Sequence, residues 1–373
     1  MGVPTNHAPP ETEIGLYIVR SVLQCIFRVA DFQSMRNTFP SSVTPSLLEN
    51  LGSAPATPVP QFFDRERGGE TVNGRVKRRA KIAISLAYHL VFAIPRRLGK
   101  WVGRPAPYRL IILCYHSVPL ASRASFARQL DMLAARIPVV PADYNGAAAP
   151  GGQSVAITFD DALTSVLDNA IPELRARNMP ATIFVPAGSM GARPAWWNIE
   201  VEDGNAYEGE LVATADALRS VVSDRLHLGA HTLTHPHLSR LRLEDARCEI
   251  AGCRTHMRNI FGIDVRTFAF PYGEYNEALI ALCREAGYER VFTVIPGVID
   301  PTEKEFARGR VGVDATDGPL EFYLKMSGAY AWMVYASALK RWFGSGPSRA
   351  EDGPIRQFSH GPPPGGGQTR PQG

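Results

Sequence analysis

Cysteine is scarce in this chain of 373 residues: five, at 25, 114, 248, 253 and 283, with no CxxC pair among them. That number and spacing exclude a disulfide scaffold and an all-cysteine metal site. No apolar run reaches the roughly 18 to 20 residues of a membrane-spanning helix. The first residues lack a basic stretch followed by an apolar one, so no secretory signal is expected. Net charge is small, +4 from 40 basic and 36 acidic residues, which does not point to nucleic acid. With 45% hydrophobic and 20% charged residues, the remaining class is an ordinary globular protein.

Charge is nevertheless unevenly placed. From Arg75 to Arg104 there are nine Lys or Arg and no Asp or Glu, flanking the apolar stretch Ile82 to Ile94. Thirteen residues make about 20 Å of helix, short of a bilayer core. Two readings stand: a helix on an anionic membrane surface, or a core-packing helix with solvated basic ends. Before it, residues 1–75 read as an extension, partly disordered, with a helix at Leu16–Phe32 and a Ser/Pro/Thr linker at Phe39–Gln61. After residue 344, a Gly/Pro-rich tail is expected to be disordered. Absence of a signal, together with the basic segment, favours a cytoplasmic or peripheral membrane location, and an extracytoplasmic one if the start or an anchor is misread.

Residues 106–344 alternate short apolar runs with amphipathic stretches. Strands are expected at Leu110–Tyr115, Ser154–Phe159, Ala181–Val185, His227–His231, Val265–Phe270 and Arg290–Val294. Helices are expected at Ser125–Arg136, Ala162–Arg177, Arg242–Phe261 and Glu274–Ala286, with a closing helix in Pro319–Phe343. Such alternation implies parallel strands covered by helices, and a barrel is the natural form at this length. Catalytic side chains then belong just past the strand C-termini.

Three strand ends carry chemistry. The strand ending at Phe159 runs straight into Asp160 and Asp161, two adjacent carboxylates that repel unless a cation separates their roles; the plainer reading is an Asp cap on the next helix. His231 and His235, four apart, are spaced to share one metal, and four of the nine histidines fall between 227 and 237. Asp161 with these two imidazoles makes a ligand set that leaves positions open, as catalytic metals need. His237 should point away. Phe270, Pro271, Tyr272 and Gly273 form a turn whose backbone N–H could face an oxyanion.

In order, Thr-Phe-Asp-Asp, His-x-x-x-His-Pro and Phe-Ala-Phe-Pro-Tyr-Gly resemble the polysaccharide deacetylases of carbohydrate esterase family 4, over roughly 55% of the chain (Leu110–Asp314). Leu113–Val118, Phe126–Leu133 and Pro180–Gly188 support the resemblance. It implies a distorted (β/α)7 barrel and a metal-dependent hydrolase, usually with zinc, that removes N-acetyl groups from an amino-sugar polysaccharide or a lipid-linked precursor. By similarity Asp160 is the base, Asp161, His231 and His235 hold the metal, and the Tyr272 N–H meets the oxyanion. The usual late Leu-x-His acid is missing. An exopolysaccharide-deacetylase branch has an early Tyr-His-x-Val instead, matched by Tyr115–Val118, so His116 is the expected acid. Ala162 stands where the family has Gly. Ala269 stands where an arginine often orients the base, leaving Arg310 or Arg308 to fill that role. Trp196 and Trp197 are candidate sugar-stacking residues, with packing within the barrel as the alternative, and Pro271 is a further candidate substrate-binding residue. The competing readings are an O-acetyl esterase on the same site and a catalytically silent carbohydrate-binding protein. Oligomeric state is not legible.

Overall fold

The computed structural model describes residues 72–101, 108–146, 152–197, 209–299 and 305–334. The expected helix at Leu16–Phe32, the linker at Phe39–Gln61 and the tail from Ser345 lie outside the described residues. A long helix, α1 (Val72–Trp101), precedes the barrel. Then follow β1 (Arg109–Tyr115), α2 (Arg123–Ala134), β2 (Gln153–Phe159), a π-helical turn (Val166–Ala170) leading into α3 (Ile171–Ala176), and β3 (Ala181–Val185). Next come α4 (Ala215–Val221), β4 (Leu226–Ala230), α5 (Leu243–Phe261), β5 (Thr267–Ala269), α6 (Glu277–Glu285) and β6 (Arg290–Phe292). Two-residue strands β7 (Ala307–Arg308) and β8 (Val311–Gly312) precede α7 (Pro319–Met326).

All pairings between named strands are parallel, in the order β7-β6-β5-β4-β3-β2-β1-β8. The two edges of that sheet belong to one stretch of chain: β7 pairs with β6, β8 pairs with β1, and only Gly309 and Arg310 stand between them. The sheet curls as expected for a distorted (β/α)7 barrel, and its seventh stave is broken in two. Gly309 is required at the break, because a Cβ there would run into the Ile295 carbonyl oxygen.

Strands buried on both faces read as continuous apolar runs, and β1 and β2 are buried at every position after the first. Alternate side chains sort into two clusters. Leu110, Ile112, Ala156, Phe184, Ala269 and Phe292 fill the barrel interior, while Ile111, Leu113, Val155, Ile157 and Ile183 pack under the helices. The helices present apolar residues at helical spacing: Phe126, Leu130 and Leu133 from α2, and Ala246, Ile250, Cys253 and Met257 from α5. Thr214 and Asn276 cap α4 and α6 through side-chain oxygens, and Gly262 ends α5 in the left-handed region.

Several expected boundaries move. The helix expected from Ala162 begins only at Thr164, because Asp161 and Ala162 both have positive φ. The strand expected at Val265–Phe270 shrinks to Thr267–Ala269. The basic segment forms one 30-residue helix rather than a 13-residue one, and one of its faces packs on the barrel through Arg78, Ser85 and Tyr88. No described helix is long and apolar enough to cross a membrane.

Candidate active site

Asp160 and Asp161 leave the C-terminal end of β2 and face different partners. Arg310 approaches Asp160 end-on, through both terminal nitrogens: Nη1 lies 2.6 Å from Oδ1 and Nη2 2.8 Å from Oδ2. The guanidinium is fully buried, donates from Nε to the Thr293 carbonyl, and lies over the Phe184 ring. Burial alone would raise the Asp160 pKa. The charge and hydrogen bonds of Arg310, with contributions from His231 and His116, overcome this and hold the carboxyl well below its ordinary range. Cys114, on the interior face of β1, donates its thiol toward Asp160 Oδ2 at 3.3 Å, and burial pushes that thiol well up, so it stays protonated.

Asp161 turns the other way. Its Oδ1 is 3.7 Å from His231 Nε2 and 3.3 Å from His235 Nε2, and one ligand atom from each of the three residues fits within a 4.8 Å cluster. His231 Nδ1 is 2.8 Å from the Ala269 carbonyl. A carbonyl only accepts, so Nδ1 carries the proton and the Nε2 lone pair faces Asp161. Burial lowers the His231 pKa, against the raising influence of Asp160 and the Ala269 carbonyl, which favours the neutral imidazole that a metal needs. One carboxylate and two imidazoles, all buried, fit a divalent first-row metal.

The loop carrying the histidines is held in an unusual shape. Thr232 and His235 have positive φ, as do Asp161, Ala162 and Tyr272, so five of the six such non-glycine residues among those described lie in this site. Each such conformation costs on the order of 1–3 kcal/mol and persists only where the surroundings enforce it. Glu249 of α5 supplies part of that enforcement: Oε2 accepts from the Leu233 and Thr234 N–H groups at 2.8 and 2.9 Å, and Oε1 accepts from the Thr234 hydroxyl. From the other side, the N–H groups of Ala187 and Gly188 donate to the carbonyls of Thr232 and Leu233.

The remaining expected residues distribute as follows. His116 is half-buried and continues the β1–β2 register one step past Tyr115 and Phe159, beside Asp160. Ser165 and Asn169 grip Val118 in the same loop. Tyr272 lies edge-on to His235 at 4.8 Å and stacks on His237 at 3.8 Å. His237 pairs with Glu274, which also takes the Ser239 hydroxyl, so it stands outside the ligand cluster as expected. Arg308 does not reach Asp160; it is buried against the carbonyls of Ala142 and Tyr144 and the side chain of Asn145.

The candidate sugar contacts are placed as follows. Trp196 is buried with its ring stacked 4.3 Å from His235, so it supports a candidate ligand rather than offering an open platform. Pro271 is buried beneath its turn. The Trp197 side chain lies outside the described residues. Cys114, Glu249, Thr158 and Glu274 were not singled out beforehand. Cys114 alone carried a signal, since it lies two positions before His116 and shares the interior face of β1.

Residues 147–291 match the family model described as polysaccharide deacetylase. YxkH of Bacillus subtilis strain 168, named for the same family, is 26% identical over 164 residues, 44% of this chain and 53% of its own length. The poly-beta-1,6-N-acetyl-D-glucosamine N-deacetylase of Escherichia coli K12 is 26% identical over 179 residues, 40% of this chain. The chain spans only 26% of that second relative's length. The solved structure of IcaB from Ammonifex degensii is similar over 60% of this chain and 98% of its own, at 28% identity and a TM-score of 0.51.

Proposed function

The chain carries a domain of the polysaccharide deacetylase family, and from that premise we propose that it hydrolyses N-acetyl groups on an amino-sugar polysaccharide or its lipid-linked precursor. The observation that carries the reading is the division of labour between two adjacent carboxylates, Asp160 clamped by Arg310 and Asp161 facing two imidazoles.

In this reading Asp161, His231 and His235 hold one divalent ion, zinc by the chemistry of the donors. When bound, that ion supplies Lewis acidity to the acyl carbonyl and makes water acidic enough to be deprotonated near neutral pH. Asp160 accepts the proton of the attacking water. Its low pKa keeps it ionised and in the accepting form, while the Arg310 fork fixes which way its oxygens point. The backbone N–H of Tyr272 is assigned to the tetrahedral oxyanion. His116 gives a proton to the leaving amine as the C–N bond breaks, yielding acetate and a free amino sugar.

The test is acetate release from N-acetylglucosamine oligomers by the full chain, stripped with chelator and then resupplied with Zn2+. Asp160→Asn should abolish release while leaving metal uptake unchanged. Asp161→Asn should lose calorimetrically measured Zn2+ binding. A folded chain that takes up no metal sinks the mechanism. Metal uptake with release from O-acetyl but not N-acetyl sugars would replace the substrate with an ester.

A further inference from the structure

The α1 helix has a face toward the barrel and an apolar face away from it, and among the described residues only the first is covered. The inner face meets the barrel: Arg78 pairs with Glu321 at 2.6 Å and with Asp317 at 3.4 Å, the Trp332 indole N–H donates to Ser85 at 2.9 Å, and Tyr88 is buried. The opposite face should be charged in a helix lying on a water-exposed barrel. It is not. Val76, Ala80, Ala83 and Leu90, spaced at helical intervals, are all exposed, and Leu86 and Val91 flank them. Val76 is 60% exposed and Leu90 52%. Among the described residues ten large hydrophobics are exposed, and four of them sit on this one helix, so the patch is a concentration rather than ordinary scatter.

The charge around this face selects its occupant. Arg75, Lys77 and Arg79 are exposed on the first turns, and the whole stretch from Arg75 to Arg104 carries no acidic residue. A second copy of the helix would bring cation against cation in either orientation. A surface that is apolar within and negative at its rim satisfies both features, and an anionic lipid bilayer is such a surface.

The first turns of the helix also lie at the catalytic end of the barrel. Arg78 contacts Asp317, whose carboxylate accepts from the Asp314 N–H just past β8. The Asp314 carbonyl accepts from Gln129, which in turn takes the hydroxyl of Tyr115 beside His116. We propose that α1 is a peripheral membrane helix that lays its Val76–Leu86–Leu90 face into the headgroup boundary of an anionic leaflet, with the active-site end of the barrel turned toward its basic first turns. The membrane contact stands independently of the deacetylase reading; the name given to the barrel end rests on it.

The test is flotation of the full chain with phosphatidylcholine vesicles, with and without about 30 mol% phosphatidylglycerol. Binding is expected to the anionic vesicles and to weaken as salt is raised. Leu86→Glu with Leu90→Glu should reduce partition roughly tenfold or more, with metal uptake unchanged as the control for folding. Arg75→Gln, Lys77→Gln and Arg79→Gln together should reduce it by about fivefold per cation and flatten the salt dependence. No partition by the folded chain, or equal partition by the glutamate variant, overturns the proposal. So does a dimer dissolved by Leu86→Glu that leaves vesicles untouched.

Discussion

Arg310 closes both terminal nitrogens of its guanidinium on both carboxylate oxygens of Asp160, at 2.6 and 2.8 Å, across 150 positions of sequence. It reaches there because Gly309 and Arg310 interrupt the seventh stave between its pairing with β6 and its pairing with β1. A buried ion pair of this kind is expensive to desolvate, and its worth lies in the cost of breaking it.

Arg310→Lys keeps the charge and loses the fork. Turnover should fall about 100-fold, with KM little changed, because Asp160 is no longer aimed. Arg310→Met leaves the buried Asp160 without its bidentate cationic partner, and should destabilise the chain by about 3–5 kcal/mol. Adding Asp160→Asn to Arg310→Met should recover part of that loss in a double-mutant cycle by urea unfolding. Undiminished kcat in Arg310→Lys would remove Arg310 from its positioning role.

Gly309→Ala places a methyl against the Ile295 carbonyl oxygen at the seam of the barrel. Expected is a stability loss of roughly 1–3 kcal/mol, accompanied by a drop in kcat as the neighbouring Arg310 shifts. Thermal unfolding and acetate release on the same preparation check both. A stable, fully active variant would mean the seam yields without moving the clamp.

Glu249 contacts no expected ligand, yet it holds the loop that bends His235 into a left-handed conformation. Glu249→Ala should weaken Zn2+ affinity about 10- to 100-fold, in the manner of groups that orient ligands from behind. Titration calorimetry reads this directly, and an unchanged affinity would mean that Ala187 and Gly188 suffice to hold the loop.

Acid should unsettle the metal-free chain in two steps. The folded pKa of His231 lies below its ordinary 6.5, so as pH falls the unfolded chain takes the proton first. Its contribution is therefore complete above 6.5 and declines below that value, by at most about 1.4 kcal/mol per pH unit. Asp160, held below 3.8 by Arg310 despite its burial, contributes fully above 3.8 and loses that contribution as pH falls toward its folded value. Urea unfolding between pH 7 and 5 should show the first slope in the native chain and a flatter one in His231→Gln. Equal slopes would assign the dependence to other groups.

Much of the site was legible because its residues are short-range motifs. Asp160 with Asp161, and His231 with His235, are neighbours in sequence, placed at strand ends by apolar runs that announce themselves. β7 and β8 were not legible, being two residues each and broken by glycines, with no period to detect. Adjacent indoles at Trp196 and Trp197 suggest sugar stacking or packing within the barrel, and Pro271 a substrate contact; the burial of Trp196 and Pro271 was not legible. Their burial depends on how the loop before α4 and the loop after β5 fold against His235 and beneath Tyr272.

By itself, then, the sequence determined the alternation of strands and helices, the paired acids and paired histidines of the candidate metal site, and the basic helix, because each is written in residues a few positions apart. The tertiary structure alone decided which arginine reaches Asp160, that Cys114 and Glu249 join the site, and that α1 turns an apolar face outward. Those relations join residues far apart in the chain, and only closure of the barrel sets the distances between them.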